Sequence, residues 1–241
     1  MDRNYLLGIR MREMPDPDSY LYDLPVVRSL YKLGKLDFPS PVTCLVGENG
    51  TGKSTLLEAI AIGMGFNPEG GSRDFFFSTH TSHADLHEHL TMIRTVTPKD
   101  GFFLRAESFY NAASYLDDVG SRMDRYGGVS LHKQSHGEAF LSLVLNRFEG
   151  EGLYLLDEPE AALSPQRQLS LLCAMHDLVR HDSQLILCTH SPILMAYPGA
   201  QILLLSDDGI KPVAYRDTEH YKITKQFLDD PDKMLHYLFS E

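Results

Sequence analysis

The sequence is short of cysteine, of long apolar runs and of positive charge, and each shortage removes a class of protein. Three cysteines, Cys44, Cys173 and Cys188, are odd in number and lie inside apolar runs, which fits reduced thiols in a cytoplasmic core better than a disulfide framework. No apolar run approaches the roughly 18 residues that span a bilayer, and the opening MDRNYLLGIR has no signal-peptide apolar region. The expectation is a cytoplasmic protein with no membrane insertion. Lys and Arg total 22 against 33 Asp and Glu, a formal net charge of −11. Neutralising phosphates needs clustered cations, so strong unaided binding to nucleic acid or an anionic membrane is disfavoured, and any DNA contact would be local. The absence of internal repeats, low-complexity segments and sustained heptads excludes a long coiled-coil arm.

What remains can build a core: 43% of the 241 residues are hydrophobic, enough for a single domain over 1–241. Leu7, Ile9 and Met11 alternate with Gly8, Arg10 and Arg12, the period-2 pattern of a half-exposed strand. Pro15, Pro17, Pro25, Pro39 and Pro41 then interrupt regular structure until 42–46, an apolar run ending in glycine that reads as a buried strand. Runs at 102–105, 153–156, 185–188 and 202–205 read the same way. Phe140, Leu141, Val144, Leu145 and Phe148 recur at helical spacing. Leu169, Leu172 and Val179 mark another helix, with Ser164 as N-cap and Pro165 as its first residue. Strands alternating with helices predict an α/β fold with a mainly parallel central sheet flanked by helices. Asp208-Gly209 between 202–205 and 213–215 predicts an edge hairpin.

The strongest motif is Gly47, Glu48, Asn49, Gly50, Thr51, Gly52, Lys53 and Ser54, which satisfies G-x-x-x-x-G-K-[ST] directly after a strand and before the helix-like stretch 55–64. Its glycines let backbone N–H groups turn toward phosphate oxygens at the positive end of the following helix. Lys53 is expected to hold the β- and γ-phosphates of ATP, Ser54 to ligate Mg²⁺ through its hydroxyl, and Thr55 to add a phosphate contact.

The apolar run 153–156 ends in Asp157 and Glu158, where a sheet of this type presents its ligand-facing groups. Asp157 suits Mg²⁺, directly or through water, and Glu158 can accept a proton from an attacking water. Ser135 and Glu138 form a capping box at the head of the helix near 140. Such a start offers a hydroxyl and free N–H groups to an anion, and serves equally well as a plain helix cap.

Four segments in fixed order, GENGTGKST, QSHGE, LYLLDEPEAALS and Cys188-Thr189-His190-Ser191, resemble the ATP-binding cassette (ABC) ATPases over roughly residues 40 to 215. Within that superfamily the sequence is similar to the stand-alone, non-transporter branch related to the Rad50, structural-maintenance-of-chromosomes and RecF proteins. The resemblance implies a P-loop NTPase core with an N-terminal antiparallel β portion and a helical lobe inserted at about 66–150. It also implies a homodimer closing head to tail on two MgATP, with Ser135 and Gly137 contacting the γ-phosphate held by the opposite subunit. Glu158 and His190 would be catalytic, His190 as the switch histidine that senses the γ-phosphate, and Ser164 and Pro165 would lie near the dimer interface. Hydrolysis would move a protein partner, and analogy alone suggests DNA repair or defence. Two rival readings are the nucleotide-binding subunit of an ABC transporter and an ATP-gated binding module that does not hydrolyse.

The family's Q-loop glutamine is missing, because the strand at 102–105 runs into Ala106-Glu107-Ser108. Glu107 is a candidate for a water-mediated Mg²⁺ contact, or a solvated loop acid. Tyr20, Tyr22 and Tyr31 are open candidates for an adenine platform, or core aromatics. His80, His83, His87 and His89 make zinc conceivable, but without an accompanying cysteine a solvated or partner-facing surface is favoured. Arg10 and Arg12 read as edge-strand guards, and the tail 217–241 as two short helices around Asp229-Asp230-Pro231.

Overall fold

A computed structural model describes residues 4–72, 84–105 and 135–240. From the N-terminus run β1 (Leu6–Met11), α1 (Pro25–Leu33), β2 (Lys35–Asp37), β3 (Val42–Val46), α2 (Lys53–Gly63), β4 (Leu90–Arg94) and β5 (Asp100–Arg105). Then follow α3 (His136–Arg147), β6 (Gly152–Asp157), α4 (Pro165–Arg180), β7 (Gln184–Cys188), α5 (Pro192–Met195), β8 (Gln201–Ser206), β9 (Gly209–Pro212), α6 (Glu219–Asp229) and α7 (Pro231–Phe239). Among these residues a six-stranded sheet runs β5-β6-β7-β3-β8-β9, parallel except for the β8–β9 hairpin, and a three-stranded antiparallel sheet runs β2-β1-β4. The expected α/β class, the mainly parallel sheet and the N-terminal antiparallel portion are therefore all present.

Period-2 alternation on the parallel strands deals their side chains to two cores. Leu45, Leu153, Leu155 and Ile186 face the antiparallel sheet with α1 and α2. Val42, Val46, Tyr154, Leu156 and Leu187 face α3, α4 and α5 on the other side. Both faces are buried, so these strands read as continuous apolar runs in the sequence. A buried glutamine joins the two sheets. Gln184 Oε1 accepts from the backbone N–H groups of Tyr5 and Leu6, both at 2.9 Å, and its Nε2 donates to Leu6 O at 2.8 Å. Three satisfied hydrogen bonds make its burial affordable and fix β1 against β7.

β1 departs from the simple alternation. Leu7 is exposed while Leu6 and Gly8 are buried, because the pairing with β4 shifts register between Leu6 and Gly8. Such an irregularity rotates the strand so that the faces of its first residues change. β1 is also the central strand of its sheet, so Arg10 and Arg12 do not guard an edge. Arg12 instead donates to the backbone carbonyl of Glu88. The edge hairpin is present with β9 at Gly209–Pro212, slightly ahead of the expected 213–215. No helix among the described residues is long and apolar enough to cross a membrane.

Candidate active site

The phosphate loop connects the buried strand β3 to α2. Gly47, Gly50 and Gly52 have φ of 141°, 84° and 92°, backbone angles that disfavour any residue with a Cβ. At Gly47 the crowding is also external, because a Cβ there would lie 2.1 Å from the carbonyl oxygen of Leu205. Gly47→Ala is therefore expected to destabilise the chain by about 3 kcal/mol or more, checked by chemical denaturation. Thr51 Oγ1 closes the loop by donating to Glu48 O at 2.9 Å, and the Val26 N–H donates to Thr51 O at 3.2 Å, tying the start of α1 to it. Lys53 is buried, and its ammonium donates to the carbonyls of Gly47 at 2.7 Å and Glu48 at 2.8 Å. Burial pulls its pKa down, opposed by the nearby Glu158, Asp157 and Glu160, so a phosphate arriving at this nitrogen would meet an under-solvated cation.

β6 delivers Asp157 to the same end of the sheet. Ser54 Oγ donates to Asp157 Oδ1 at 2.9 Å, so the loop hydroxyl and the strand carboxylate converge. Two adjacent hard oxygen donors fit the Mg²⁺ expected with a nucleotide. Arg105, at the end of β5, stands opposite Asp157 in the parallel register. It bridges Glu58 of α2 at 2.6 Å and reaches Asp157 Oδ2 with Nε at 3.5 Å. Burial raises the Asp157 pKa; Arg105 and the Ser54 hydroxyl oppose it.

Glu158 follows with φ 50° and ψ 50°, a left-handed conformation uncommon for a residue with a Cβ. Its N–H donates to Cys188 O at 3.0 Å, which locks the turn and swings the carboxylate out of the sheet. Glu158 Oε1 lies 3.8 Å from His190 Nε2, which is buried and has no hydrogen-bond partner. Such strain at an exposed carboxylate points to a functional site rather than a packing need.

His190 is positioned from two further sides. Glu160, half-buried at the turn Pro159–Ala162, accepts from Thr189 Oγ1 at 2.8 Å and from the backbone N–H of His190. Across the ring, His190 Nδ1 lies 2.9 Å from Nε2 of His220 on α6. Burial and then Lys53 lower the His190 pKa, against the opposing pull of Glu158, which favours a neutral imidazole.

Ser135 is exposed at the head of α3, and Gly137 is buried just behind it. Glu138 Oε2 accepts from both the N–H and the hydroxyl of Ser135, at 3.0 and 2.7 Å, and Glu138 pairs with Arg167 at 2.8 Å. A Cβ on Gly137 would sit 2.6 Å from Ala162 O, so this helix start abuts the segment that follows Glu158 in the chain.

Glu107, His80 and His83 lie outside the described residues. Among the described ones no group of three His, Cys, Asp or Glu is placed to hold a metal. Of the tyrosine candidates, Tyr20 and Tyr31 are exposed and Tyr22 lies beneath the Arg28 guanidinium, 6.0 Å from its ring centre. Sequence reading passed over Arg105, Glu160 and His220. Arg105 closes a quoted strand and Glu160 sits inside DEPE, but their roles need the strand register and the turn that the chain makes here.

Fold and loop together are similar to those of the ABC-type P-loop ATPases. A family model described as an AAA domain matches residues 27–103. The ABC-type transporter eriD of Hericium erinaceus is 27% identical over 203 residues, covering 74% of this chain and 14% of that protein. The xylose import ATP-binding protein XylG of Escherichia coli (strain K12) is 27% identical over 176 residues, covering 62% of this chain and 33% of that protein. The chain thus spans only a small part of the curated relatives it matches. Among solved structures, cbiO1 from Clostridium perfringens, part of the ABC transporter complex cbiONQ, superposes with a TM-score of 0.51 at 14% identity over 98% of this chain and 99% of that one. An ABC transporter in an inward-facing conformation gives 0.51 at 16% identity over 92% and 88%. At these identities the likeness shows the fold.

Proposed function

We propose that this chain binds MgATP and hydrolyses it between two copies, each phosphate loop facing Ser135 and Gly137 of the other copy. The observation that carries the reading is the convergence of Lys53, Ser54, Asp157 and the strained Glu158 at one end of the parallel sheet, with His190 beside them. In this reading Lys53 exchanges its two carbonyl partners for β- and γ-phosphate oxygens. Ser54 and Asp157 would hold Mg²⁺, whose charge would offset that building up on the phosphates. Glu158 takes the proton of the attacking water, and His190 Nε2 steadies the γ-phosphate and the Glu158 carboxylate. The exposed Ser135 hydroxyl and the head of α3 would supply the anion contacts to the loop of the other copy. Hydrolysis would remove the shared γ-phosphate and release the pair.

Turnover per chain should therefore rise with protein concentration at saturating MgATP until pairing is complete. Strict proportionality between rate and concentration, down to the lowest concentration measured, would remove the sandwich and leave a one-chain ATPase; binding of MgATP with no turnover would leave a binding module.

A second reading is favoured by the relatives named above: the ATP-binding part of a membrane transporter. Exposed Ile223, Leu228, Tyr237, Leu238 and Phe239 on α6 and α7 give either reading a surface for a protein partner. Co-purification from native membranes with a permease would favour the transporter, and recovery with other proteins or DNA the stand-alone ATPase.

A further inference from the structure

His220 approaches the active-site histidine closely enough to control it. Its Nε2 lies 2.9 Å from His190 Nδ1, with the ring centres 5.0 Å apart. Two imidazole nitrogens at this distance must share a hydrogen, since two facing lone pairs would repel. That contact aims the opposite nitrogen, His190 Nε2, toward Glu158. Either ring is able to donate across the pair, and the groups around Nε2 decide between them. Nε2 faces the Glu158 carboxylate, and a γ-phosphate held by Lys53 would be a second anion there. A nitrogen bearing hydrogen attracts both, whereas a lone pair repels both. With hydrogen on Nε2, the neutral ring has only a lone pair on Nδ1, and His220 is then the donor.

We infer that His220 is a positioning residue for ATP hydrolysis, its Nε2–H donating to His190 Nδ1 and holding His190 in the tautomer whose Nε2–H points at Glu158 and the γ-phosphate. This rests on the reading of the chain as an MgATP hydrolase. His220 is itself anchored, because α6 starts at the buried Thr218, whose hydroxyl donates to Tyr215 O at 2.7 Å and accepts from the Tyr221 N–H at 3.3 Å. Burial, followed by His190, lowers the His220 pKa, so both rings are neutral where tautomers matter. The C-terminal tail, which has no buried residue on either helix, thereby reaches the chemistry of the site.

The test compares His220→Leu, which removes the donor, with His220→Gln, whose amide N–H has similar reach. Leu should lower kcat about tenfold with KM for ATP unchanged, the loss of one hydrogen bond's worth of orientation, and Gln should recover most of it. Nitrogen-15 NMR of labelled histidines in the full chain reads the tautomer directly and needs no turnover. Wild type should show His190 with its hydrogen on Nε2, and the Leu variant a mixture. A wild-type His190 with hydrogen on Nδ1, or a Leu variant unchanged in both kcat and tautomer, overturns the assignment. If wild type hydrolyses no ATP, the hydrolase reading fails, while the spectrum still decides whether His220 sets the ring.

Discussion

Glu158→Gln is expected to cut ATP turnover by about 10²- to 10⁴-fold while MgATP affinity stays within about threefold of wild type. Glutamine keeps the size and shape of the side chain but cannot take a proton from water. The backbone that presents it should survive, because the left-handed turn is held by the N–H to Cys188 O bond at 3.0 Å and by the Pro159–Ala162 turn behind it. With chemistry blocked and binding retained, the paired form should accumulate in MgATP, visible as a dimer by size-exclusion chromatography. A variant that turns over within tenfold of wild type would move the base to another group. One that loses ATP binding as well would make Glu158 a structural part of the loop.

Asp157→Asn should separate activity from stability. Loss of the carboxylate weakens the Mg²⁺ site and is expected to lower turnover by about 100-fold or more. Stability, measured as Tm without nucleotide, should rise by ~1 kcal/mol equivalent at neutral pH, the pattern of a site kept strained for function. The reason is that burial raises the Asp157 pKa despite Arg105 and the Ser54 hydroxyl. A carboxyl whose folded pKa lies above its unfolded value contributes stability below the unfolded value, and that contribution is lost as pH rises through the folded value. At neutral pH the fold therefore carries a charge it disfavours, and asparagine relieves it. Arg105 would not be left unpaired, since Glu58 holds it at 2.6 Å. The advantage should shrink as the pH falls toward about 4, where aspartate becomes protonated in both states. A variant less stable than wild type at pH 7 would mean that the Arg105 attraction outweighs desolvation. A gain that does not fall with acid would point to a cause other than this carboxyl.

Much of the site could be read along the chain. The glycine spacing from Gly47 to Gly52, the strand before it and the helix after it, and the apolar run closing in Asp157-Glu158 are local patterns, and the structure brings them together. The alternation at β1 misled at Leu7, because a shift in pairing with a strand more than eighty residues away reverses a face that period-2 counting assigns. Arg10 and Arg12 read as edge residues in the sequence for a related reason: whether a strand is central or peripheral depends on partners that its own residues do not name. The head of α3 stayed ambiguous since Ser135 and Glu138 satisfy a capping box whatever else they face.

The sequence by itself determined the parts whose physics is local: the phosphate loop, whose fold depends on successive backbone angles, the strands that both cores bury, and the acidic pair at a strand's end. Only the tertiary structure decided what surrounds them. Arg105 meets Asp157 through the β5–β6 register, Glu160 grips the loop of His190 by folding back in a turn, and His220 reaches His190 from a helix that begins beyond the β8–β9 hairpin. Charge pairing and proton placement depend on separation through space and on burial, and neither is a function of distance along the chain.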